Sequence, residues 1–131
     1  MTRHQMRQSA FILTFERIFN TGSIDEIVEL AKECGNIEID NSVITLFKGV
    51  DENKEVIDSE ISKHLKKWSI SRISKVSLAV LRVAMYEIMF SNDMDIDIII
   101  SEAVKIAQTF TLKDDVAFVN GVLSSVAKER K

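Results

Sequence analysis

A chain of 131 residues is long enough to bury one continuous core without disulfides or a structural metal, so a single domain over residues 1–131 is expected. Hydrophobic residues at 46% and charged residues at 28% exclude the low-hydrophobicity, high-charge signature of disorder. A net charge of −3 excludes a uniformly basic nucleic-acid protein and leaves room only for a local basic patch.

Proline is absent and glycine occurs four times, which removes the residues that punctuate hairpins and β-sandwiches and favours helices. The lone Cys34 cannot form an internal bridge and reads as a small buried hydrophobe in a reducing compartment. No N-terminal stretch has the order of a signal peptide, and the longest apolar runs are broken by Arg82 and Glu87, so a cytoplasmic protein with no membrane partner is expected.

The first predicted helix covers about 3–19. At 100° per residue, Arg3, Arg7 and Thr14 fall within roughly 40° of arc, between apolar groups made by Met6, Ala10 and Leu13 and by Phe11, Phe15 and Ile18. A basic seam between two apolar arcs implies a helix wedged into the fold along both flanks. Ser23 and Glu26 have capping-box spacing and Gly35 reads as a stop, giving a second helix over about 24–33. A third segment opens near Asp40 or Asn41 and continues through Ile57, Ile61 and Leu65, either as one helix or as two broken near Asp51. After a turn at Ser69-Ile70-Ser71, residues 74–90 are apolar almost all round, which demands a central helix. Ile98-Ile99-Ile100 is β-prone, yet Ile99, Ala103, Ile106, Ala107 and Phe110 continue at spacings of three and four, so a helix is preferred. The last helix opens at Asp114 or Asp115 and carries Val116, Val119, Val122, Leu123 and Val126. Gly49 and Gly121 lie inside helices, where each costs roughly 1 kcal/mol relative to alanine. Close helix packing or a ligand approaching the backbone would each offset that cost.

Catalytic chemistry finds little support. His4 and His64 are the only histidines and have no neighbouring cysteine or Glu-x-x-His partner, so no metal site is expected. Asp93, Asp95 and Asp97 imitate an EF-hand, but Ile98 stands where the turn glycine belongs and Val104 where the bidentate glutamate belongs. No phosphate-binding loop and no nucleophile elbow occurs, so neither an enzyme nor a cofactor is expected. Binding features are better represented. Arg3, His4 and Arg7 form a start with no acid before Glu16, suited to phosphates or simply to solvent. Lys63, His64, Lys66 and Lys67 form a second basic cluster beside Trp68, with the same two readings. Trp68, Tyr86, Phe110 and Phe118 could stack bases, but at helical spacing Trp68 reads as core, and Phe118, near a turn, suits either role.

Several segments together resemble one family. Residues 2–15 (TRHQMRQSAFILTF), Trp68 with Arg72-Ile73, residues 80–87 (VLRVAMYE), residues 100–107 (ISEAVKIA) and residues 118–123 (FVNGVL) are similar in order and spacing to the transcription antitermination factor NusB family over nearly the whole chain. The resemblance implies an all-α fold, a compact bundle of about seven helices in two packed three-helix groups. It implies a partner, the ribosomal protein NusE, and a shared ligand, boxA-type single-stranded RNA, with read-through by an RNA polymerase antitermination complex during ribosomal RNA synthesis as the outcome. By position, Arg3, His4 and Arg7 would hold RNA phosphates, Phe15 would stack where relatives often have tyrosine, and Lys113, Phe118, Asn120 and Gly121 would complete the RNA surface. NusE would sit near Lys67, Ser74, Ser77 and Arg82. Asp95 and Ser101 stand where relatives often have proline and asparagine. A homodimer that hides the basic helix, and a protein-interaction module without RNA, are alternatives.

Overall fold

The computed structural model describes residues 1–91 and 94–130. Among them the elements are α1 (Arg3–Phe19), α2 (Ile24–Cys34), α3 (Asn41–Glu52), α4 (Lys54–Ser62), a 3-10 turn at Ile70–Arg72, α5 (Lys75–Phe90), α6 (Ile96–Phe110) and α7 (Lys113–Arg130). The expected all-α class stands, with α1 packed on α2 and α3 in one group and α5, α6 and α7 packed mutually in the other, while α4 lies on α5.

Local chemistry explains most boundaries. Thr2 Oγ1 accepts the Gln5 N–H at 3.0 Å and Gln5 Oε1 accepts the Thr2 N–H at 2.8 Å, a reciprocal capping box that opens α1. At α2 the serine half of the expected box forms, with Ser23 Oγ accepting the Glu26 N–H at 3.1 Å, and Gly35 closes the helix at φ 70°. That left-handed cap is cheap only for glycine. The stretch from 40 resolves as two helices. Asn53 turns the chain between α3 and α4, its side-chain amide donating to Gly49 O at 2.8 Å. Ile98-Ile99-Ile100 is helical, capped by Asp95, whose carboxylate accepts the Asp97 N–H at 3.0 Å. Asp93, part of the rejected calcium pattern, lies outside the described residues.

Helix α5 is central as its apolar girdle demands: it packs on α1, α3, α4, α6 and α7, and Leu81, Ala79 and Met85 have no exposed surface. Its two charges do not pair with each other. Arg82 reaches α4, with Nε and Nη2 donating to the two carboxylate oxygens of Asp58 at 2.9 and 2.8 Å. Glu87 reaches α1 and accepts from Arg7. Both therefore anchor neighbouring helices. Gly49 sits where α3 crosses α5: a Cβ there would press on the Tyr86 hydroxyl and come within 2.9 Å of its ring edge, so close packing accounts for this glycine.

Two burial expectations fail. Cys34 is exposed at the last position of α2 rather than buried, because only Ile27, Val28 and Ala31 of that helix face the core. Trp68 is 53% exposed rather than core, because it lies in the irregular stretch between α4 and the 3-10 turn and not on a helical stripe.

Candidate nucleic-acid interface

The carrier of the expected RNA residues is an edge made by α1, α6 and α7. Helices α1 and α6 meet over part of their length and run in the same direction, since His4 at the start of α1 meets Glu102 in the middle of α6, and Phe11 in the middle of α1 meets Phe110 at the end of α6, ring centroids 5.0 Å apart. Helix α7 folds back on α6 after Thr111. Along this edge Arg3 is exposed at the first turn of α1, which holds no acid to oppose the partial positive charge of a helix start. His4 is half-buried and its Nδ1 lies 2.5 Å from Glu102 Oε2, so this ring is oriented by a carboxylate rather than free for phosphate.

Arg7 corrects the expectation outright. Its side chain is 5% exposed, its Nε and Nη2 donate to Glu87 at 2.8 and 3.0 Å, and Nη2 also approaches Met94 Sδ at 2.8 Å. The two apolar arcs that flank it on α1 carry it into the core, where the guanidinium serves Glu87 and is closed to RNA. Phe15 is half-buried, between Phe11 at 6.3 Å and Phe19 at 5.2 Å, so only part of its ring is open to stacking.

On α7 the expected residues divide between two faces. Lys113, Ala117 and Asn120, at helical spacing, line an open groove of about 410 Å³ against Val104, Gln108 and Thr111. Phe118 and Gly121 line a neighbouring hollow of about 320 Å³ against His64, Lys66, Lys67 and Trp68. Gly121 has no atom within 4 Å of where a Cβ would stand, so close packing does not explain this glycine as it explains Gly49. Its helical backbone is left open at the surface.

Of the residues expected at a protein partner, Lys67 and Ser74 are exposed, and Ser74 also caps α5 by accepting the Ser77 N–H at 3.1 Å. Ser77 has no exposed surface, and Arg82 is spent on Asp58 with its side chain 12% exposed, so these two positions are closed to a partner. The surface beside Lys67 is instead made by Trp68, Arg72 and Ser74, which share a hollow of about 250 Å³ with Asp114, Asp115 and Phe118. Lys66, at φ 55°, takes a left-handed turn that side chains adopt only at a cost, just before Lys67 and Trp68.

Several surface groups escaped the sequence reading. Lys105 and Gln108 on α6 face solvent beside the α7 groove. Phe19, packed on Phe15 at the end of α1, and Leu112, just past the end of α6, are 65% and 81% exposed. Their signal was an apolar residue at a helix terminus, where the periodic stripe that marks core residues no longer applies.

Cations, a helix start and partly open aromatic rings on one edge of a seven-helix all-α scaffold define a small helical binding protein with a surface suited to a nucleic acid. Comparison with known proteins carries this further. The NusB family profile matches residues 38–128. The transcription antitermination protein NusB of Clostridium acetobutylicum is 41% identical over 96% of this chain and 95% of its own. A solved NusB of T. maritima superposes with a TM-score of 0.85 at 33% identity, covering 98% of this chain and 92% of that one. A NusB solved with NusE and double-stranded RNA superposes with a TM-score of 0.85 at 25% identity, covering 97% and 96%. This chain belongs to the NusB family.

Proposed function

We propose that this protein is a transcription antitermination factor that pairs with NusE and holds boxA-type single-stranded RNA against the α1–α6–α7 edge, supporting read-through by RNA polymerase in ribosomal RNA transcription. The observation that carries the reading is the open backbone at Gly121, next to Asn120 and about one helical turn from Phe118, with the exposed cations Lys113 on the same helix, Lys105 on α6 and Arg3 on α1. Phosphates would meet the cations and the start of α1, and bases would meet Phe118, Phe15 and the polar groove. NusE would contact the Lys67, Trp68 and Ser74 surface. With Arg7 removed from the phosphate set, the cationic grip is thin, and a protein partner that completes the RNA surface follows naturally.

The test is an RNA shift assay at fixed salt, with and without NusE, on the full chain and on Arg3→Glu/Lys113→Glu. Preference for boxA over a scrambled RNA, strengthened by NusE and lost in the double variant with helicity intact, is expected. Partner binding and transcriptional effect that survive in the double variant would instead support an interaction module that does not touch RNA. Arg7 is unsuitable for this test, because charge reversal there would bury two carboxylates together.

A further inference from the structure

His64 is the one histidine buried in the fold, and one of its ring nitrogens is left without a hydrogen bond. Its Nδ1 lies 2.8 Å from Ser125 Oγ on α7, while Nε2 is buried, makes no hydrogen bond, and lies 3.5 Å from Glu129 Oε2. The residue is 8% exposed and its side chain 5%. Glu60, one turn earlier at the end of α4, brings a carboxylate to the same point, so that one ligand atom from each of Glu60, His64 and Glu129 lies within 4.8 Å of the others. In the tautomer that donates Nδ1–H to Ser125, Nε2 is left as an acceptor close to the Glu129 carboxylate. Burying such an acceptor without a donor is costly, which calls for an electrophile at that point.

We propose that Glu60, His64 and Glu129 bind a divalent metal ion of the zinc class. One imidazole nitrogen and two carboxylate oxygens form a ligand set that zinc accepts, and the imidazole argues against magnesium and calcium, which prefer oxygen alone. Ligand atoms around a tetrahedral zinc with bonds of about 2.0–2.1 Å stand about 3.4 Å apart, close to the separation between His64 Nε2 and Glu129 Oε2. Rotation of the two glutamate side chains closes the rest. Ser125 plays the part that outer hydrogen-bond partners play in metal sites: it holds the orientation of the ring and, by accepting Nδ1–H, would free Nε2 for the ion. Three protein ligands leave a fourth position for water, and the half-exposed Glu129 gives the ion an entry path. Lys63, 2.7 Å from Glu60 Oε1, and Arg130, 4.0 Å from Oε2, neutralise the Glu60 carboxylate without the ion and yield to it, since exposed monovalent pairs are weak. The bound ion ties the last turn of α7 to the end of α4, beside the hollow that Phe118 and Gly121 line.

Calorimetric titration of the full-length Cys34→Ser protein with zinc chloride, in a buffer that does not coordinate metal, tests this without interference from the exposed thiol. One equivalent should bind and should raise the thermal unfolding midpoint. Glu129→Gln, at the solvent-facing end of α7 where the fold is indifferent to it, should weaken binding by at least about tenfold, as should His64→Gln, and Ser125→Ala should weaken it by about tenfold. Excess magnesium should not compete. Absence of a one-equivalent site in Cys34→Ser, or equal zinc affinity in a Glu129→Gln protein of native helicity, overturns the proposal.

Discussion

Arg7 and Glu87 join α1 to α5 through two hydrogen bonds with both side chains almost wholly withdrawn from water. Removing one member strands the other charge, so Arg7→Ala should destabilise the fold by about 3–5 kcal/mol in chemical denaturation, while Arg7→Met/Glu87→Leu should recover most of the loss. The pair was half legible. Arg7 lies in a seam between two apolar arcs and Glu87 interrupts an apolar helix, so each was conspicuous, but the residues stand 80 positions apart and only packing introduces them. The two helical glycines give a sharper contrast. Alanine at either position gains roughly 1 kcal/mol of helix propensity. At Gly49 the methyl meets the Tyr86 ring, and overpacking of about 1–3 kcal/mol should outweigh the gain. At Gly121 nothing opposes the gain, so Gly121→Ala should be stabilising while reducing RNA affinity if RNA approaches that backbone. Melting curves and the RNA assay on the two variants separate packing from binding.

Among the elements, helix starts were the most readable, because a cap depends on neighbours within three residues. Asp40 opens α3 by accepting the Val43 N–H at 3.0 Å and the Ser42 hydroxyl at 2.5 Å. The hydroxyl first, then the backbone bond, hold its carboxyl below the ordinary value of 3.8. A depressed folded value means that this carboxylate stabilises the fold above pH 3.8 and that the contribution is lost as pH falls through the lower folded value. Asn caps nearly as well without titrating. The difference in melting temperature between wild type and Asp40→Asn should therefore hold near pH 6 and shift in favour of the variant as pH falls below 3.8. The division between α3 and α4 was not readable in the same way. Asn53 and its bond to Gly49 end α3, yet the apolar periodicity runs on through both helices, so the pattern alone suits one helix or two.

Across the whole molecule the charge is negative, and the proposed edge offers RNA three exposed cations, Arg3, Lys105 and Lys113. With about three phosphate contacts to single-stranded RNA, log affinity should fall with log salt at a slope of about −2, and Arg3→Glu/Lys113→Glu should flatten it; a slope of about −5 would demand cations beyond that edge. No helix among the described residues is long and apolar enough to cross a membrane. By itself, the sequence determined the helical class, the central place of α5, most caps and the family, because these rest on periodicity, near neighbours and motif spacing. Tertiary structure alone decided which charges remain free. Arg7, Ser77 and Arg82 look as available in the sequence as Arg3, Lys67 and Ser74, and the difference is burial against helices far away in the chain. The same holds for His64, which has no metal-binding neighbour in its own segment beyond Glu60 until the end of α7 brings Glu129 to its open nitrogen.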